Sequence, residues 1–322
     1  MNKKIGYATL LVLLLAAPFA VYPVFLMKLL CFVLFACAFN LLIGFTGLLS
    51  FGHAAFFGGG GYVAGHALAS LSVPSELGLV MGTAAGALLG LVIGSLAIRR
   101  QGIYFTMITL ALAQMFYFVA LQAPFTGGED GLQGVPRGKL IGVLCLSHDL
   151  TMYYVVLSIV VAAFALIARI VHSPFGQVLK AIKENEPRAI SLGYDVDRYK
   201  LLAFVLSAAL AGLAGATKTL VLGFETLTDV HWSMSGLVVL MTLVGGMGTL
   251  IGPVVGAIVI IVLENKLGEL GNLIADITTV EWFRSLGESV TIVTGLIFII
   301  CVLAFRRGIV GEIIALKKRK VS

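Results

Sequence analysis

Charged residues are scarce in this chain: 12% of its 322 residues are Asp, Glu, Lys or Arg, while 59% are hydrophobic and the mean hydropathy is +1.05. Soluble domains carry about 25% charge because water must wet their surface, so this composition excludes one. The four cysteines, Cys31, Cys37, Cys145 and Cys301, show neither metal-ligand spacing nor a disulfide framework. No G-x-x-x-x-G-K-S/T phosphate loop occurs; the run GVPRGKL from Gly134 to Leu140 has the wrong spacing and the wrong residue after its lysine. The chain therefore carries no nucleotide motor of its own. HExxH and CxxC are absent, no string of carboxylates follows the apolar runs, and no nucleophile is paired with a base. A membrane protease, a redox carrier, a proton relay or another enzyme lacks the groups its chemistry needs, and no catalytic or metal-binding residue is assigned.

What the chain has is long apolar runs. At about 20 residues per crossing helix there is room for roughly eight to ten spans and no sizeable domain outside the bilayer. Spans are expected over 5–21, 24–43, 77–98, 102–122, 151–171, 201–222 and 290–305, with glycine-interrupted segments over 44–65 and near 227–267. The first imitates a signal peptide, with Lys3 and Lys4 ahead of it, but no small-residue cleavage site follows and it reads as a retained span. The fold class is thus an all-α polytopic membrane protein. It comprises about eight full transmembrane helices and a glycine-broken hairpin or re-entrant pair near 227–267, ten helical segments in all, in one transmembrane domain over 1–322.

Orientation follows from the loop at 172–200, where Lys180, Lys183, Arg188, Arg198 and Lys200 crowd together. Loops rich in Lys and Arg stay in the cytoplasm. Arg99 and Arg100 fall on the same side, and so does the basic tail 306–322, provided that 227–267 enters and returns; 264–288 is then an external amphipathic segment. The net charge of +6 is accounted for by these loops and termini and leaves no basic face for nucleic acid. Within the loop, 176–188 reads as one short helix after Pro174, with Val178, Leu179 and Ile182 on its apolar stripe and Lys180, Lys183 and Glu184 facing water.

Gly44, Gly47, Gly52 and Gly58–Gly61 interrupt the first broken segment; Gly245, Gly246 and Gly248 interrupt the second. An interior glycine weakens a helix by about 0.5–1 kcal/mol relative to alanine. Backbone groups freed at membrane depth persist only where protein buries them or water reaches them. Singly, such glycines read as close helix packing. One set in each half of the chain also matches the paired broken helices of repeat-built transporters. The candidate translocation pathway is therefore Gly47, Ser50, Gly52 and His53, with Thr106, Thr109 and Gln114 on the span 102–122, and Gly245, Gly246 and Gly248. His53 has a second reading, as a hydrogen-bonded packing histidine. The run TGGEDG at 126–131 reads as an outer connecting loop or as a vestibule wall, and Lys218 and Glu225 are placed to pair at the outer end of 201–222.

The stretches NLLIGFTGLLSFGHAAFF (40–57), GIYFTMITLA (102–111), TGGEDG (126–131), SPFG (173–176) through Asn185-Glu186 and Leu192-Gly193, and GGMGT (245–249) occur in this order. Together they resemble the LivM-type permease subunits of ATP-binding-cassette importers for branched-chain amino acids. The resemblance implies a bacterial inner-membrane protein paired with a LivH-type permease subunit, driven by two cytoplasmic LivG/LivF-type ATPases and fed by a periplasmic solute-binding protein. It implies no cofactor on this chain, with ATP and Mg on the partner ATPases. It also makes 181–193 the segment that docks on an ATPase, through Lys183, Glu184, Asn185, Glu186, Ala189 and Gly193. Importers of this kind carry Glu-Ala-Ala, three residues, then Gly; here Glu186-Pro-Arg-Ala189 precedes Gly193, so the spacing departs by one residue and Arg188 replaces an alanine. Similar permeases serve branched-chain amino acids, urea and amides, or aromatic acids. A self-sufficient channel or secondary carrier for a small neutral solute is the competing class. A cysteine introduced at Asn185 should react with a membrane-impermeant maleimide only from the cytoplasmic face; labelling from outside intact cells would overturn the orientation.

Overall fold

The computed structural model describes residues 14–19, 21–140, 144–278, 295, 296, 299 and 308–312. They belong to two compact units, Met1–Ser235 and Gly236–Ser322. The helices are α1 (Pro23–Thr46), α2 (His53–Ser70), α3 (Ser75–Ala97), α4 (Ile103–Gln122), α5 (Asp149–His172), α6 (Pro174–Glu184), α7 (Glu186–Ser191), α8 (Val196–Leu222), α9 (Leu227–Val230), α10 (Trp232–Gly245) and α11 (Gly252–Thr278). Two short strands, β1 (Lys139–Leu140) and β2 (Leu144–Cys145), pair antiparallel before α5. Among the described residues, α1, α3, α4, α5 and α8 are long and apolar enough to cross a membrane. The chain is an all-α polytopic membrane protein.

The first unit is built around α1 and α8. Pro23 opens α1, where its missing N–H costs nothing. Twenty-four residues give a rod about 36 Å long. It is apolar on every side and buried from Leu26 to Thr46 except at Lys28, as expected of a central helix. It ends where Gly47 adopts φ 78°, the left-handed turn that returns its N–H to the Ile43 carbonyl. Helix α5 packs on α1, buries Met152, Val156, Val160, Ala163 and Ile167, and leaves Tyr154, Val161 and Leu166 exposed. Exposed apolar stripes also run along α3 (Leu88, Val92, Leu96) and α4 (Met107, Met115, Phe118), surfaces suited to lipid.

Small residues carry the packing of α2, α3 and α8. Helix α3 places glycine at 78, 82, 86, 90 and 94, every fourth residue and so on one face. A Cβ built on Gly82 would fall 2.6 Å from the Gly60 carbonyl oxygen of α2 and 2.7 Å from Ala216 Cβ of α8. One on Gly86 would fall 2.9 Å from Gly212 Cα, and one on Gly60 would fall 2.6 Å from the same atom. Three backbones therefore touch with no side chain between them.

The ends alternate as the basic loops require. Gln101, between α3 and α4, meets Glu186 of α7, and Lys183 of α6 reaches the end of α1. At the other end Ser75, Arg137, Val221 and Glu225 are joined through the segment between α4 and α5. That segment is an ordered cover. Leu132 and Glu225 exchange both backbone hydrogen bonds at 2.9 Å, Val135 N–H donates to the Gly223 carbonyl, and Arg137 ties Asp149 at 2.6 Å to the Val221 carbonyl at the end of α8.

Three expectations are revised. Gly44 lies inside α1 and Gly58–Gly61 does not break α2, because both helices are buried and the glycines of α2 are filled by neighbouring atoms; the chain breaks at 47–52. The single helix over 176–188 is two helices. Pro187 lacks the N–H to continue α6, and Asn185 instead caps α7 by accepting from Arg188 N–H at 3.1 Å. The segment expected to begin anew at 264 is continuous with α11 to Thr278, and 279–288 lies outside the described residues. The span 5–21 lies mostly, and 290–305 almost wholly, outside them. The apolar length near 227–267 is divided, as expected, at a turn of the second unit where Gly246 and Gly248 take φ 117° and 74°.

Replacing Gly212 with leucine should destabilise the purified chain by about 3 kcal/mol, because two backbones must move apart. Gly236→Ala, in α10 with nothing within 4 Å of the new methyl, should instead raise stability by about 0.5 kcal/mol. Thermal denaturation in lipid nanodiscs reads both; equal effects would show that the glycine contacts do not determine packing.

Candidate functional site

Two of the candidate pathway groups come together around the break between α1 and α2. The non-helical backbone at 47–52 exposes polar groups that lipid cannot satisfy. Helix α4 satisfies them: Thr106 Oγ1 donates to the Leu49 carbonyl at 2.9 Å, and Thr109 Oγ1 accepts from Phe51 N–H at 3.2 Å. Ser50 Oγ accepts from Gly52 N–H at 3.1 Å, just ahead of α2, and the Ala54 N–H donates to Ser235 at 2.9 Å. Thr106 and Thr109 thus hold Gly47, Ser50, Gly52 and His53 in place. Gln114, farther along α4, keeps its Oε1 buried with no hydrogen-bond partner among the described residues.

His53 is wholly buried at the first position of α2. Ser207 Oγ donates to the Ala38 carbonyl at 2.6 Å, which leaves its oxygen to accept from His53 Nε2 at 2.8 Å. The rings of Phe39, Phe56 and Phe204 meet the imidazole edge-on. This geometry ties α1, α2 and α8 together. In the second unit, Gly245 packs against the Gly252 carbonyl too closely for any side chain. Thr249 Oγ1 donates to the Gly246 carbonyl and accepts from Gly252 N–H, both at 2.9 Å, which closes the turn holding Gly248 and starts α11.

The α6–α7 segment divides its residues between an inner and an outer face. Lys183 Nζ donates to the Gly44 carbonyl at 2.8 Å, in the last turn of α1, where a helix leaves carbonyls unpaired and favours a cation. Glu186 turns toward the bundle: its Oε1 receives Lys200 Nζ of α8 at 2.6 Å and Gln101 Nε2 at 2.9 Å. Ala189 is buried with Ile182 and Val196, flanked by Val178 and Tyr199. Glu184 and Asn185 are exposed, and Gly193, at φ 87°, reverses the chain with open space around it. Outward stand three apolar side chains that the charge pattern of the loop did not reveal: Ile190 at 57% exposure, Leu192 at 68% and Tyr194 at 41%. The available signal was their isolation among polar neighbours.

At the opposite end Lys218 pairs with Glu225 at 3.3 Å, as anticipated, and also with Asp229, which was not anticipated. The sequence cue for Asp229 was the spacing from Thr226, whose side chain and N–H form a capping box with it at the start of α9. Burial pushes the Glu225 carboxyl up to about 8, against the opposing pull of Lys218.

A family described as branched-chain amino acid transport system / permease component matches residues 24–303. The high-affinity branched-chain amino acid transport system permease protein LivM of Escherichia coli K12 is 28% identical over 295 residues, 81% of this chain and 68% of that protein. More distant are an autoinducer 2 import permease, LsrC, of Klebsiella pneumoniae, 29% identical over 58% of this chain and 53% of its own length, and the ribose import permease RbsC of Bacillus subtilis, 27% identical over 50% and 51%. No solved structure gives a significant match.

The Glu186–Lys200 pair offers a direct check of the inner face, since Lys200 is buried and, among the described residues, Glu186 is its only carboxylate partner. Glu186→Ala should cost about 2 kcal/mol in thermal stability, less than a wholly buried pair because Glu186 is partly exposed. The double variant E186A/K200M should recover most of that loss. Additive losses would show that the two side chains do not act together.

Proposed function

The chain belongs to the family of permease components of branched-chain amino acid transport systems, and from that premise we propose that it is the membrane subunit of an ATP-binding-cassette importer moving branched-chain or related amino acids into the cytoplasm. As a multi-pass inner-membrane protein it pairs, in this reading, with a LivH-type permease subunit and receives solute from a periplasmic binding protein. Two LivG/LivF-type ATPases hold the ATP and Mg. The amino-acid assignment is supported by the similarity to LivM proteins, which covers more of the chain than the similarity to the autoinducer 2 and ribose permeases.

The observation that carries the ATP-driven reading is the α6–α7 segment. It offers exposed Ile190, Leu192 and Tyr194 at the end of the bundle that, in this reading, faces the cytoplasm. Water-exposed apolar groups on a held segment suit burial by a partner. Its inner face is bonded to α1 through Lys183 and to α8 through Glu186 and Lys200. In this reading Glu184, Asn185 and Gly193 shape the docking surface, while Lys183, Glu186 and Ala189 transmit its displacement to the helices. The segment at 47–53 with Thr106, Thr109 and Gln114 is the solute-path region nearest that input.

The double variant I190S/L192S should reach the membrane in normal amount, while ATPase co-purification and ATP-driven leucine uptake fall at least about tenfold, the change produced by losing about 1.4 kcal/mol at an interface. Uptake by the chain alone in liposomes, unaffected by added ATPases, would overturn this reading in favour of a self-sufficient carrier.

A further inference from the structure

Three ionisable side chains meet beneath the cover formed by the segment between α4 and α5: Lys218, Glu225 and Asp229, exposed by 4%, 0% and 4%. One ammonium faces two carboxyl groups, so full ionisation leaves a buried net negative charge, which is costly away from water. Asp229 is equipped to be the anion. Its Oδ2 receives Lys218 Nζ, the Thr226 hydroxyl at 2.6 Å and the Thr226 N–H at 3.2 Å.

Glu225 is equipped differently. Its Oε1 has no hydrogen-bond partner among the described residues, and Lys218 lies 3.3 Å from Oε2. Its nearest polar neighbour is Thr219 Oγ1, 2.5 Å from Oε2 and 3.0 Å from the Gly215 carbonyl. A hydroxyl has one proton. It cannot serve both oxygens, and an ionised Glu225 leaves one of these approaches as oxygen facing oxygen with no hydrogen between. A proton on Oε2 removes the conflict: the carboxylic acid donates to Thr219 Oγ1, Thr219 donates to the Gly215 carbonyl, and the cluster becomes neutral.

We propose that Glu225 is a proton-binding site, a neutral carboxylic acid whose proton fastens the outer cover to α8. The connection to the cover is direct, because the Glu225 backbone exchanges both of its hydrogen bonds with Leu132. Among the described residues, the other titratable groups facing the cluster are Cys31 of α1 and Tyr62 of α2, with Tyr117 of α4 facing Tyr62. None of these supplies a second cation. The elevated carboxyl, near 8, agrees with the geometry. Since the folded protein holds this proton more tightly than an unfolded chain does, the stabilisation is complete below the ordinary carboxylate range and is lost as pH rises through about 8.

The test is an infrared difference spectrum of the full-length chain in lipid nanodiscs, wild type minus Glu225→Gln, at neutral pH. A carboxylic-acid C=O band lost in E225Q is expected; loss of ionised-carboxylate bands instead would overturn the site. Hydrogen exchange of the cover backbone, corrected for its intrinsic pH dependence, should quicken by up to about tenfold per pH unit in wild type as pH rises from the ordinary carboxylate range toward about 8, and level off above it. In E225Q, which stays neutral, it should not respond. The same response in both proteins would overturn the link to the cover. If E225Q does not accumulate, titration of wild type decides: a C=O band that disappears over the same pH range in which cover exchange stops quickening sustains the proposal, and no such band at neutral pH refutes it.

Discussion

Direct backbone contact among α2, α3 and α8 is the interaction on which the first unit depends. In a bilayer, burying an apolar side chain between helices gains little over leaving it in lipid, so association relies on close fit. The glycines of α3 at every fourth position make a continuous groove, and Gly60 and Ala64 of α2 with Ala208, Gly212 and Ala216 of α8 fill it. Each glycine is a weak helix former in water. In lipid the helix persists, because unpaired backbone groups have no water to turn to. The same residues that weaken the isolated helices let them pack.

From that contact the two ends acquire different characters. At the α6–α7 end, polar side chains reach backbone groups left free by helix ends: Lys183 at the close of α1, Thr106 and Thr109 at the turn into α2. At the opposite end backbone pairs, Leu132 with Glu225 and Val135 with Gly223, share the joining with Arg137. The first arrangement links a surface segment to helices. The second closes a cover over a buried charge cluster.

Much of this was legible in the sequence, for physical reasons that can be named. Long apolar runs marked the five crossings seen among the described residues, and the basic loops at 99–100 and 172–200 share an end as anticipated. The glycines at 47–52 sit in irregular chain as anticipated, yet Gly58–Gly61 resemble them in composition and lie inside a helix. What distinguishes the two groups is the partner: Gly60 meets Gly212, and Gly61 meets Thr219 and Glu225, all over 150 residues away in sequence. A local reading has no access to such contacts. The division of α6 from α7 was accessible in principle, through Pro187 and Asn185, but charge periodicity suggested one helix. Glu186 carried the right residue type for a docking role while its side chain points to Lys200 and Gln101. The sequence could name the docking segment more readily than the face it presents.

Helix α8 is the element through which the two ends can influence each other. Lys200 near its start holds Glu186, and Lys218 near its end holds Glu225 and Asp229. Eighteen residues separate the lysines, about five full turns and about 27 Å, so both project from the same side of the rod. Between them lie Ala208, Gly212, Gly215 and Ala216, where α8 touches α2 or α3 without intervening side chains. Sliding along such a contact would drive one backbone into the next, because there are no flexible side chains to yield. Lys200 and Lys218 therefore stand on one rod held against α2 and α3 along its length, so the α6–α7 surface and the buried cluster are fastened to opposite ends of the same helix.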